Sequence, residues 1–163
     1  MPRTGRILAL DMGSKRIGLA VTDPLGITAQ GISTLQRKNK RSDLLQLRRL
    51  VAEYGIQEMV VGHPLYMSGD ASPKSQEASA FAEALRQEFG LPVHLWDERL
   101  TSTQANRLLR ETRMSIKRRR QAVDKLAATL ILQSFLEGRE NAANRHPRPE
   151  ETHDEGTKGS SRE

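Results

Sequence analysis

The sequence predicts a mixed α/β fold, in which three antiparallel strands lead into alternating helices and strands and the helices pack on the sheet. Three observations carry that reading. The first 36 residues hold three short β-rich runs separated by turn residues. The apolar spacing then changes from that of strands to that of helices. Two later strands each follow a helix, which is the pattern of βα units.

Each element has a local reason. Residues 6–11 (RILALD) and 16–23 (RIGLAVTD) flank a Met-Gly-Ser-Lys turn, a hairpin pattern in which Gly13 is expected to supply an unusual backbone dihedral. A third strand, 29–36 (AQGISTLQ), follows a Pro-Leu-Gly turn. From Ser42, read as an N-cap, Leu44, Leu47, Val51 and Tyr54 fall at helical spacing. Residues 58–64 (EMVVGHP) form a short strand buried on both faces and stopped by Gly62 and Pro64. Ser72 and Pro73 open a second helix with Ala78, Phe81, Leu85 and Phe89 on one stripe, ending at Gly90. Residues 92–98 (PVHLWDE) are the last strand. Thr101 and Gln104 form a capping box for a helix carrying Ala105, Leu108 and Leu109. A final helix over 119–136 turns Val123, Ala127, Leu130, Ile131 and Ser134 inward.

Composition bounds the function. The chain has 163 residues and no cysteine, so disulfides, zinc–thiolate centres and cysteine nucleophiles are excluded. The N-terminus has no signal-peptide pattern and no apolar run reaches the roughly 18 residues a membrane span needs, so a cytoplasmic protein without membrane contact is expected. After Gly138 the chain is polar and poor in apolar residues, which predicts a folded domain over 1–137 and a disordered tail over 138–163. Net charge is +6, and 21 basic against 14 acidic side chains lie before Gly138. Basic residues concentrate at 36–41 (QRKNKR) and 110–120 (RETRMSIKRRR), a distribution suited to a polyanion such as nucleic acid.

The acidic residues are more specific. Asp11 closes the first strand, Asp97 and Glu98 close the last, and Asp124 lies beside the apolar stripe of the final helix. Singly, each has an ordinary explanation as a turn former, a surface ion-pair partner or a helix-start charge. If the first and last strands are neighbours, their ends bring Asp11 and Glu98 together and the final helix adds Asp124. Three gathered carboxylates repel, and a Mg²⁺ or Mn²⁺ ion with oxygen ligands is the ordinary remedy. Two such ions suit hydrolysis of a phosphodiester. Lys15 and Arg16, in the turn beyond Asp11, would then contact substrate phosphates.

Four ordered blocks, ALDMGSKRIGLAVTDP, VVGHPLYMSG, DERLTS and VDKLAATLILQ, make residues 5–136 resemble the YqgF family, described as pre-16S rRNA nucleases and as relatives of RuvC-type Holliday-junction resolvases. The resemblance implies an RNase H-like fold, Mg²⁺ or Mn²⁺ dependence, maturation of the 5′ end of 16S rRNA, and a catalytic and metal-binding set of Asp11, Glu98 and Asp124. It alone selects Glu98 over Asp97. The chain departs from the family at His63 and Tyr66, where Leu and Asn are usual, and at Ala127, where RuvC-type resolvases tend to carry a second carboxylate.

The leading expectation is therefore a metal-dependent endonuclease acting on structured RNA, with ribosomal particles as further partners and a monomer or weak dimer as the working form. Arg99 and the basic residues Lys117, Arg118, Arg119 and Arg120 join Lys15 and Arg16 as candidates for the nucleic-acid backbone. A four-way DNA junction is the alternative substrate, and a non-catalytic RNA- or ribosome-binding factor the alternative role. Asp11, Gly13 and Gly18 also resemble the phosphate hairpin of actin-like kinases, but the chain is short for that two-lobed architecture and lacks a second Gly-rich loop.

Overall fold

Alternation along the strands divides the molecule into two cores. The computed structural model describes residues 5–98 and 116–145, the side chains of 116–125 and 144–145 excepted. In chain order the elements are β1 (Arg6–Met12), β2 (Arg16–Thr22), β3 (Ala29–Gln36), α1 (Lys40–Tyr54), β4 (Ile56–His63), α2 (Pro73–Phe89), β5 (Val93–Asp97) and α3 (Ile116–Arg145). The expected helix over Thr101–Leu109 and most of the expected tail lie outside the described residues.

The strands form one sheet in the order β3-β2-β1-β4-β5. The β1–β2 and β2–β3 pairs are antiparallel, whereas β1–β4 and β4–β5 are parallel, as the αβ crossovers require. Leu8 and Leu10 of β1, Met59 and Val61 of β4 and Val93 of β5 face α1 and α2, meeting Leu47, Phe81 and Leu85. The alternate residues Ile7, Ala9 and Val60 face α3, meeting Ala128, Ile131, Leu132 and Phe135. Burying a Leu, Ile or Phe side chain contributes about 1.5–3 kcal/mol, so these two layers supply most of the drive to fold.

Four local expectations need correction. Asn39, not Ser42, caps α1: its side-chain oxygen accepts from the Ser42 amide at 2.8 Å, so the helix begins at Lys40. Gly13 does not have a positive φ. It is required for space, because a Cβ there would sit 2.6 Å from the Arg16 carbonyl oxygen that its own amide bonds across the turn. On α3 the buried stripe is Ala127, Ala128, Ile131, Leu132 and Phe135, with Leu130 only half-buried and the Val123 side chain outside the described residues. Finally, α3 runs on to Arg145, past the change of composition at Gly138.

That extension has a packing reason. Trp96 donates its indole N–H to Ser134 Oγ at 2.9 Å and meets Phe135 edge-on, while a Cβ on Gly138 would lie 2.6 Å from the Trp96 ring. One residue further, Arg139 stacks over Phe135 and donates from both terminal nitrogens to Glu58, whose side chain is buried at the start of β4. His94 Nε2 lies 2.5 Å from the same carboxylate. A carboxylate this enclosed needs its cation. Because Arg139 itself is partly exposed, Arg139→Met is expected to cost about 1–3 kcal/mol in urea unfolding, below the full cost of orphaning a buried charge.

Candidate active site

Parallel pairing of β1, β4 and β5 brings the C-terminal ends of these strands to one edge of the sheet. Leu10 pairs with Val61 and Gly62 with Trp96, so Asp11, one step past Leu10, is level with Gly62. Strand parity fixes the faces. Asp11 follows Ile7 and Ala9 onto the α3 side, and Glu98 follows His94 and Trp96 onto the same side. Asp97 follows Val93 and Leu95 toward the opposite face.

Asp11 and Glu98 do meet, though not by the route expected. Their strands are not neighbours, because β4 lies between them. The gap is bridged at Gly62, where an added Cβ would sit 2.2 Å from Glu98 Oε2 and 2.8 Å from Ile131 Cδ1. The missing side chain is the space through which Glu98 reaches across β4 to hydrogen-bond Asp11. Burial and the neighbouring Asp11 charge push the Glu98 carboxyl up to about 8, while Lys74 at the start of α2 partly offsets them. The pair therefore shares a proton near neutrality, because two adjoining carboxylates cannot both ionise cheaply.

Gly62 and Lys74 were not singled out as site residues from the sequence. Gly62 reads there only as a strand stop, although a glycine inside a bulky strand also marks a close approach. Lys15 is exposed and Arg16 half-buried in and beside the β1–β2 turn. The Asp124 backbone lies in α3, about two turns, or roughly 10 Å of axis, before Ile131. Its side chain, those of Lys117, Arg118, Arg119 and Arg120, and the whole of Arg99 lie outside the described residues. Among the described residues no group of three potential ligands gathers, and the Asp11–Glu98 pair is the acidic centre. An all-oxygen, like-charged pair of this kind fits a hard divalent cation.

A mixed sheet in the order 3-2-1-4-5, with paired carboxylates at the ends of its parallel strands, defines an RNase H-like protein. The solved structure of Thermus thermophilus RuvC shares that fold, with a TM-score of 0.50 at 13% identity over 83% of this chain and 96% of its own. The profile of the RuvX family, described as Holliday junction resolvase, matches residues 5–138, and the chain belongs to that family. A Koribacter versatilis relative is 62% identical over 83% of this chain and 88% of its own. Relatives from Moorella thermoacetica and Geobacillus kaustophilus are 51% and 46% identical, over 81% and 82% of this chain and 94% and 99% of theirs. All three are provisionally named pre-16S rRNA nucleases, and the expected family and fold are both borne out.

Two outcomes are expected at this pair. Gly62→Ala inserts a methyl group between Glu98 and Ile131, so it should lower the melting temperature and displace Glu98, read by thermal unfolding and crystallography. The second concerns pH in the metal-free protein. A carboxyl with a raised folded pKa keeps its proton where the unfolded chain has lost it, so stability falls as pH rises from about 4.5 to about 8. In EDTA, Glu98→Gln should flatten that slope and unfold later than the wild type at pH 8.

Proposed function

We propose that this protein is a divalent-cation-dependent endonuclease that hydrolyses a phosphodiester bond in structured RNA, with the 5′ extension of pre-16S rRNA as its substrate in the cytoplasm. The observation that carries the proposal is the Asp11–Glu98 carboxylate pair held across Gly62. Its support from kinship is the provisional name shared by relatives at 46–62% identity.

Asp11, Glu98 and Asp124 would hold Mg²⁺ or Mn²⁺, which when bound polarises a phosphoryl oxygen and acidifies a water. The chain's own residues do the rest. Glu98, within hydrogen-bonding reach of Asp11, either holds the cation or orients the attacking water at the pair. Lys15 and Arg16 bind phosphates of the substrate strand, and Lys74 limits the negative charge at the pair. Arg99 and the run from Lys117 to Arg120 extend the cationic surface along the backbone. Contacts of this type position a nucleic acid without reading its sequence.

The family description names the Holliday junction, so a four-way DNA junction is the competing substrate. Ala127, where resolvases of the RuvC type tend to place another carboxylate, is buried and has no acid to offer. That favours RNA.

The deciding experiment incubates pure protein with 5′-extended 16S precursor, and separately with a four-way DNA junction, in Mg²⁺, Mn²⁺ or EDTA. Cleavage of the precursor should require the cation. Asp11→Asn should lower the rate by more than the 10–100-fold typical of losing a partner outside the ligand set. RNA binding by that variant should persist. A precursor left intact by wild type, or cut equally by Asp11→Asn, would overturn the proposal, and preferential cutting of the junction would reverse the choice of substrate.

A further inference from the structure

We propose that a cationic cleft at the head of α1 is a second phosphate-binding site, which grips the nucleic-acid backbone a few residues away from the carboxylate pair. This inference rests on the nucleic-acid reading above and extends it from the reacting bond to the strand that flanks it.

The cleft encloses about 340 Å³ and is lined by Ser14, Arg37, Lys38, Asn39, Lys40 and Phe81 among others. That volume lies within the usual range for small-molecule sites, so it has room for a sugar–phosphate unit. Its two acids are already committed. Asp43 is buried, accepts the Lys38 amide at 3.0 Å and lies 3.7 Å from Arg37 Nε. Glu77 lies 3.4 Å from Arg37 Nη1. Among the described residues, Lys38 and Lys40 of the lining have no carboxylate partner, so the cleft presents uncompensated positive charge to solvent. Of the first-turn amides, those of Ser42 and Asp43 are taken by Asn39, so the lysine ammonium groups supply the charge that holds a phosphate. The Phe81 ring is buried and offers no stacking surface, which leaves the phosphates as the recognised group.

The cleft is also tied to the active edge. Arg37 donates from its backbone to the Lys15 carbonyl at 2.9 Å and from Nη1 to the Gly13 carbonyl at 2.7 Å. Gly13 follows Asp11 by two residues, about 7 Å of strand. The carboxylates face α3 and the cleft faces α1 and α2, with the β1–β2 turn, which contributes Ser14 to the cleft, as the rim between them. A strand crossing this edge of the sheet meets the carboxylates, the rim and the cleft in turn. Contact at both ends would set the register of the strand over the pair.

Binding measured in EDTA tests this independently of cleavage. Full-length Lys38→Ala/Lys40→Ala would be titrated with 5′-extended 16S precursor RNA and with duplex DNA of the same sequence across a salt series. Arg49→Ala, on the outer side of α1, serves as the charge control, and thermal unfolding verifies folding. The double variant should bind RNA about tenfold more weakly near 0.1 M salt, and its log–log salt slope should fall by about 1–2, as loss of one or two phosphate contacts requires. Lys38→Arg/Lys40→Arg should restore the slope. An equal loss on DNA would identify phosphate alone as the ligand, and a loss on RNA alone would add the ribose. A wild-type slope in the double variant, or a change no larger than that of Arg49→Ala, would overturn the site. If wild-type protein cuts no RNA, the nuclease reading fails while this comparison still decides the cleft.

Discussion

The parallel pairing of β1, β4 and β5 is the constraint on which the molecule turns. It places three strand ends at one edge and gives them a common phase, so side chains at matching positions project to the same side. Two carboxylates with β4 between their strands then converge, provided the middle strand contributes no side chain. Gly62 meets that condition. The antiparallel half of the sheet contributes differently: its first turn, tightened at Gly13, follows Asp11 by two residues and carries Lys15 and Arg16, while Arg37 locks the turn from below.

The same face of the sheet handles a buried and a half-buried glutamate in opposite ways. At the start of β4, Glu58 is enclosed by Arg139 and His94 and acts as an anchor for α3. At the other end of the strands, Glu98 is set against Asp11, and Lys74 partly moderates the repulsion. A paired carboxylate serves cohesion. A carboxylate pressed against another acid opposes cohesion, which is the character of a group held for binding or chemistry.

Much of this was legible in the sequence because the signals were local. The strands of the hairpin, the Ser72–Pro73 start and Gly90 stop of α2, and the double burial of β4 follow from short-range patterns. Asp11 stood out as a charge ending an apolar run. The features missed depend on distant partners. Gly62 is intelligible only once Glu98 lies across it, and the continuation of α3 past Gly138 only once Trp96 and Glu58 are beneath it. On α3, Ala127 and Ile131 are buried as the helical pattern predicts, whereas Ala128, Leu132 and Phe135 are selected by the sheet they cover and Leu130 is left half-buried. Asn39 was passed over for Ser42 because both residue types cap helices and only the hydrogen bond decides.

The attachment of α3 has a mechanical consequence. The anchors Trp96 and Glu58 grip the helix near Ser134 and Arg139, whereas Asp124 belongs to its opposite part, about 22 Å from Arg139 along the axis. Between those anchors and Asp124, Ala128, Ile131 and Leu132 lie buried against the sheet, so the helix is held along its length and not at one end. A tilt about the anchors would have to shear this close-packed layer, which resists it. The course of the backbone at Asp124 is thereby tied to the same layer that carries the aromatic and ionic anchors at the opposite end of the domain.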